Sequence, residues 1–201
     1  MKTALVILAA GESSRLGECK ALARIGPRTA IEHLLRESAG LFDGRTLVVT
    51  GIHHAAIDAL LSAQVECLFH AGWRLGRTGG IALARTARRE QALCLAPVDC
   101  PLVPRAVFAA LLDAWARALR PERGWLAPRH ALRDGHPVLV GPGLALGIED
   151  LGSATSLREL RGGARPQLSL EVDCPAIHDD LDTPADLARL RQRLLEAGFS
   201  H

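Results

Sequence analysis

The chain has 201 residues, 48% hydrophobic and 23% charged, the balance of an ordinary globular protein and a length expected to make one domain across 1–201. Its 24 basic and 22 acidic residues nearly cancel, and aromatic residues are only 3% with no tyrosine. That leaves neither the basic field nor the ring platform that nucleic-acid binding needs.

No apolar run approaches the length of a membrane span, so no membrane partner is expected. The five cysteines, Cys19, Cys67, Cys94, Cys100 and Cys174, are scattered without a C-x-x-C pair. This pattern fits neither a disulfide framework nor a zinc site and points to a reducing cytoplasm.

The chain opens on an apolar strand over 3–8 that runs into Leu8-Ala9-Ala10-Gly11-Glu12-Ser13-Ser14-Arg15-Leu16-Gly17-Glu18-Cys19-Lys20. Glycines there let the backbone approach a ligand, its N–H groups can donate to phosphate oxygens, and Arg15 and Lys20 supply positive charge. The loop is neither a Walker P-loop nor G-x-G-x-x-G, which argues against a dehydrogenase-type domain. Cys19 lies among these charges, where a thiolate would be favoured, but with no histidine beside it in sequence it reads as a bystander.

Thr29-Ala30-Ile31-Glu32 is a capping box that starts a helix. A strand over 45–50 and a helix over 54–62 follow. His53 and His54 are adjacent and point apart, and no H-x-x-x-H occurs, so no zinc is expected. A strand over 65–69 leads through His70–Gly80 into a helix over 79–89, with Ile81, Leu83 and Ala84 as its apolar face. The strand over 92–96 delivers Asp99 between Pro97 and Pro101, where a carboxylate can hold a divalent cation facing the phosphate loop.

Pro104 begins a helix whose Phe108, Leu111, Leu112, Trp115 and Leu119 recur at helical spacing. Strands over 125–128 and 136–140 precede Gly141–Gly147, read as a loop. Ser156-Leu157-Arg158-Glu159 is a second capping box, a strand spans 168–172, and Thr183-Pro184 starts the last helix, which runs to 195. Strand–helix alternation implies a mostly parallel sheet of about seven strands covered on both faces, with ligands beyond the strands' carboxyl ends.

The arrangement L-A-A-G-x-S-x-R-x-G-x-x-K resembles the signature loop of the MobA-like nucleotidyltransferases, nearest to the molybdopterin cytidylyltransferase branch. Three further segments are similar: Asp99-Cys100-Pro101 to the family's D-x-P, Gly135-His136-Pro137-Val138 to its G-H-P-V, and Asp180-Leu181-Asp182-Thr183-Pro184 to its D-I-D-T-P. The resemblance implies a three-layer α/β, Rossmann-like nucleotide-diphospho-sugar transferase fold. It implies transfer of a nucleoside monophosphate from an NTP, CTP favoured with GTP as the alternative, to a phosphorylated acceptor such as molybdopterin, with a molybdoenzyme as onward partner.

By the same resemblance Leu8, Ala9, Ala10, Gly11, Ser13, Arg15, Lys20, Gly76 and Asp99 bind the nucleotide, and Arg15, Lys20 and Asp99 also carry catalysis. Asp99 and an acid ahead of the last helix, Asp180 before Asp182, hold Mg²⁺, and His136 meets the acceptor. His70 stands where relatives carry asparagine, Gly80 where serine is common, and Gly152-Ser153 where the family has G-D. Two rival readings are a sugar-1-phosphate nucleotidyltransferase and a non-catalytic nucleotide-binding regulator or molybdoenzyme accessory protein.

Overall fold

Alternating buried strands and amphipathic helices build an eight-stranded sheet in the computed structural model, which describes residues 2–89, 91–150 and 157–196. In chain order the elements are β1 (Thr3–Ala9), β2 (Arg24–Ile25), β3 (Arg28–Thr29), α1 (Ala30–Ser38), β4 (Thr46–Thr50), α2 (His54–Asp58), β5 (Val65–Phe69) and α3 (Arg77–Ala87). Then come β6 (Ala92–Pro97), α4 (Arg105–Arg117), β7 (Trp125–His130), β8 (Arg133–Asp134), β9 (Val138–Val140), α5 (Pro142–Asp150), α6 (Leu157–Gly162), β10 (Gln167–Glu171) and α7 (Pro184–Glu196). Single 3-10 turns sit at Lys20–Leu22, Trp73–Leu75 and Pro175–His178.

The sheet order is β10-β7-β9-β6-β1-β4-β5, with β8 paired to β7, and β2 and β3 form a separate hairpin. β9 is antiparallel to β6 and β7, and β8 to β7; the remaining pairings in the sheet are parallel. The expected mostly parallel α/β sheet is therefore present.

Period-two alternation sends successive side chains to opposite faces. Leu5 and Ile7 of β1, with Cys94 and Ala96 of β6, pack under Ile31 and Leu34 of α1, Phe108, Leu111 and Trp115 of α4, and Leu187, Leu190 and Leu194 of α7. Ala4 and Val6, with Leu93 and Leu95, pack under Ile81 and Ala84 of α3, Leu144, Ala145 and Ile148 of α5, and Leu160 of α6. With so few aromatic residues, aliphatic side chains fill both layers.

Four sequence expectations need correction. The glycine-rich 141–147 stretch is mostly helix α5 rather than a loop. Two of its glycines answer a packing demand: a Cβ at Gly141 would lie 2.3 Å from the Pro121 carbonyl oxygen, and one at Gly143 2.8 Å from Glu122 Oε1, while one at Gly147 would meet nothing within 4 Å. Leu119 is exposed beyond the end of α4, because Leu119 and Arg120 turn the chain with φ of 60° and 50°. Leu83 is only half-buried, whereas Ile81 and Ala84 are buried. β9 begins at Val138, since Pro137 has no N–H to give the sheet and the His136 N–H donates to the Ile177 carbonyl at 3.1 Å.

Smaller differences are boundaries. α2 stops at Asp58, after which the Leu60 and Leu61 N–H groups bond three residues back. Pro104 caps α4 from outside its first turn. The expected Thr29 box is intact: the Glu32 N–H donates to Thr29 Oγ1, and the Thr29 N–H donates to Glu32 Oε2 at 2.7 Å. Ser156 and the Gly152-Ser153 pair lie outside the described residues.

At the start of α7, Asp186 Oδ2 accepts from the Thr183 N–H at 2.9 Å and its hydroxyl at 2.8 Å. These bonds, with Arg189, hold the Asp186 carboxyl pushed down to about 2. A depressed acid stabilises the fold above its unfolded value of about 4 and loses that contribution as pH falls toward the folded value. The difference in Tm between wild type and Asp186→Ala should be full at about pH 6 and close as pH approaches the folded value, read by thermal melts across that range. Phe108→Ala removes a ring set edge-on to Phe42 at 6.1 Å. Urea unfolding should show a loss of about 3–5 kcal/mol.

Candidate active site

β1 and β6 are parallel neighbours with Leu8 opposite Pro97, so their carboxyl ends share one edge of the sheet. From β1 the chain proceeds to β4 and β5 on one side and later to β6 on the other. A crevice outside such a reversal is where open α/β sheets bind ligands.

A cavity of about 140 Å³ lies there. Leu8, Ala9, Ala10, Gly11, Ser13 and Lys20 line it from the first loop, and Pro97, Val98 and Asp99 from the turn after β6. His70, Trp73, Gly76 and Gly80 line it from the connection between β5 and α3. The sequence-selected Gly76, Lys20 and Asp99 thus meet in one cleft. Arg15, His136 and Asp180 are not among its lining residues.

The first loop is shaped by Ser13 and Gly17, with φ of 61° and 80°. The Leu16 and Gly17 N–H groups donate to the Ser13 carbonyl at 3.1 and 3.2 Å, and Ser13 Oγ accepts from the Lys20 N–H at 3.1 Å. A left-handed serine is uncommon and is held here by these bonds. A Cβ at Gly11 would meet nothing within 4 Å, so the fold alone does not require glycine at that position. Burial pushes the Cys19 thiol up, contrary to the activation its basic neighbours suggested.

Both loop cations converge on Asp182, in the segment leading into α7. Lys20 Nζ donates to Asp182 Oδ1, and Arg15 Nη2 pairs with Oδ2 at 2.9 Å. The Lys20 hydrogen bond is the chief cause holding the Asp182 carboxyl below its ordinary value. Two residues earlier, Asp180 lies beside Asp99 instead. Among the described residues, one acid, cysteine or histidine cluster has donor atoms close enough to share an ion: Asp99, Cys100 and Asp180, all within 4.8 Å. The Leu181 N–H donates to the Asp99 carbonyl at 2.8 Å and ties the two segments together. The two acids that sequence grouped as metal candidates therefore do different things, Asp180 beside Asp99 and Asp182 on the cations.

His136, outside the lining residues of the cleft, donates its N–H to the carbonyl of Ile177 in the 3-10 turn at Pro175–His178. A Cβ on the preceding Gly135 would lie 2.5 Å from the Ile177 carbonyl oxygen, which explains that glycine. Two features escaped sequence reading. Gly51, just after β4, allows Trp73 to pack against the first loop, because a Cβ there would lie 2.3 Å from the Ala10 oxygen and 2.8 Å from Trp73 Cγ. His70 packs where α3 lacks side chains: a Cβ at Gly79 would lie 2.7 Å from its Cε1, and one at Gly80 3.6 Å from its Cδ2. Gly79 makes the room for the imidazole, whereas a Cβ at Gly80 would meet Val49 Cγ1 first, at 2.9 Å. Only the pairing of a bulky residue with a Gly-Gly step hinted at it.

Gly51→Ala should cost about 1–3 kcal/mol by overpacking. It should also displace Trp73 and change the tryptophan emission, since Trp115 and Trp125 are buried elsewhere. An unchanged melting point and spectrum would contradict this packing.

A family model described as a MobA-like NTP transferase domain matches residues 5–181. No curated protein matches the chain by sequence. Among solved structures, Rv0371c from Mycobacterium tuberculosis is similar at TM-score 0.80 and 24% identity, covering 96% of this chain and 98% of that one. Rv0371c is also known in complex with manganese, similar at TM-score 0.76 and 23% identity over 96% of this chain and 99% of that one. A nucleotidyl transferase from Methanothermobacter matches at TM-score 0.79 and 21% identity, covering 98% and 99%. Molybdopterin-guanine dinucleotide biosynthesis protein A from Archaeoglobus fulgidus matches at TM-score 0.75 and 18% identity, covering 96% and 98%.

Proposed function

Because the chain belongs to the MobA-like NTP transferase family, we propose that it moves a nucleoside monophosphate from an NTP to a phosphorylated acceptor and releases pyrophosphate. The observation that carries this reading is the cleft shared by Lys20 and Asp99 at the junction of β1 and β6. CTP is the favoured donor, from the Ala10 that resembles cytidylyltransferases, and a molybdopterin-like phosphate is the favoured acceptor. The cytoplasm is the favoured compartment; among the described residues no helix is long and apolar enough to cross a membrane.

The charges favour a divalent cation. Asp99, Asp180 and Asp182 outnumber Arg15 and Lys20, so a bare triphosphate would meet net repulsion. Asp99 and Asp180 supply the oxygen donors that such a cation prefers. When bound, it would neutralise phosphate oxygens and stabilise charge on the transferring group.

The chain's own groups do the rest. Backbone N–H groups of the first loop and Ser13 orient the triphosphate. Lys20 and Arg15 leave Asp182 for phosphate oxygens, an exchange of one anionic partner for another. Lys20 then holds charge developing at the α-phosphate, and Arg15 the departing pyrophosphate. The attacking acceptor phosphate is already ionised, so no side chain has to take a proton from it.

Lys20→Ala should lower pyrophosphate release by about 10²-fold or more, by analogy with loss of one electrostatic stabiliser. Wild-type turnover in that variant would remove Lys20 from the chemistry. A thermal-shift panel of CTP, GTP, ATP and UTP, each with and without a divalent cation, should show the largest rise with CTP plus cation. Nucleotide binding with no pyrophosphate release across phosphorylated acceptors would favour the regulatory reading instead.

A further inference from the structure

The proposed reaction leaves Cys100 without a task, although it follows Asp99 directly and is buried. Its Sγ lies 3.8 Å from Asp180 Oδ1, and it belongs to the group of three donors within 4.8 Å of one another. Two of the donors come from the turn after β6 and the third from the segment ahead of α7. The Leu181–Asp99 backbone bond fixes these segments relative to each other, and the Cys100 N–H donates to the Pro97 carbonyl at 3.1 Å, which fixes the turn. Oxygen donors sit about 2.0–2.2 Å from a divalent ion such as zinc and thiolate sulfur about 2.3 Å. An oxygen and a sulfur sharing one ion therefore stand roughly 3–4 Å apart, the range in which Cys100 and Asp180 already lie.

We propose that Cys100 is the third protein donor of the cation site, which makes it a mixed oxygen–sulfur centre suited to borderline and soft divalent ions such as cobalt, zinc and cadmium. The inference rests on the cation-dependent reading above and changes the class of ion that reading takes. Magnesium demands oxygen ligands in near-octahedral array and gains little from a thiol, whereas sulfur selects softer metals. On binding, the S–H bond gives way to a sulfur–metal bond, the proton passes to solvent, and no electron is transferred. Cys19 does not share this geometry: it lines the cleft beside Asp99 but is outside the donor cluster.

The test is a titration with cobalt(II) under reducing conditions, read by thiolate-to-cobalt charge-transfer absorption in the near ultraviolet. Wild type and Cys19→Ser should both develop the band. Cys100→Ser should bind cobalt, seen by calorimetry, without it. In competition, wild type should prefer cadmium over magnesium by about 100-fold or more, with most of that preference lost in Cys100→Ser. If the serine variant fails to fold, X-ray absorption of cadmium-loaded Cys19→Ser protein counts sulfur neighbours directly, and finding none overturns the proposal. Cobalt bound to wild type without the sulfur band also overturns it while leaving the cation-dependent function standing. Failure of cobalt, manganese and magnesium to bind, alone or with CTP, would sink both.

Discussion

The parallel pairing of β1 with β6 is the constraint from which the site follows. It sets the end of the first strand beside the end of the one that delivers Asp99, and the Val98 N–H donates to the Leu8 carbonyl at 3.1 Å across that junction. The first loop leaves the end of β1 and Asp99 follows the end of β6, while His70, Trp73, Gly76 and Gly80 close the cleft from the connection between β5 and α3. The segment ahead of α7, remote in sequence, is tied to the turn after β6 by the Leu181 N–H on the Asp99 carbonyl. Two apolar layers hold the strands in place, and Cys100 is packed in one of them.

That convergence sets an electrostatic problem. Opposed loops bring cations from one side and carboxylates from the other, and the protein resolves most of it internally by giving both cations to Asp182. Such a contact holds two basic side chains together on one carboxylate and leaves the trio with a net positive charge. It also means that an incoming phosphate competes with a carboxylate rather than with water alone. The neighbouring Asp180 takes no part in that pairing and faces Asp99 and Cys100 instead. One short segment therefore carries both the partner of the two cations and a member of the Asp99–Cys100–Asp180 group.

Much of this was legible in the sequence because it depends on local rules. The apolar run of β1, the capping box at Thr29 and the Thr183-Pro184 start of α7 are read from spacing and residue type alone. The sheet's general plan followed from alternation. What sequence could not yield depends on contacts between distant segments. The glycines at 141 and 143 read as loop punctuation, but they are small because Pro121 and Glu122 press against the start of α5. The division of labour between Asp180 and Asp182 needed the first loop's position. Cys100 read as one of several incidental thiols until Asp180 was seen beside it.

The packing of His70 against Gly79 and Gly80 carries a consequence for how this cleft can change over time. A Cβ at 79 would collide with the imidazole at 2.7 Å, whereas one at 80 would meet Val49 Cγ1 first, at 2.9 Å. Neighbours in such contact are not additive in their effects. A side chain can enter at 79 only as residue 70 shrinks, and at 80 only as Val49 yields, so this wall of the cleft changes by paired substitutions.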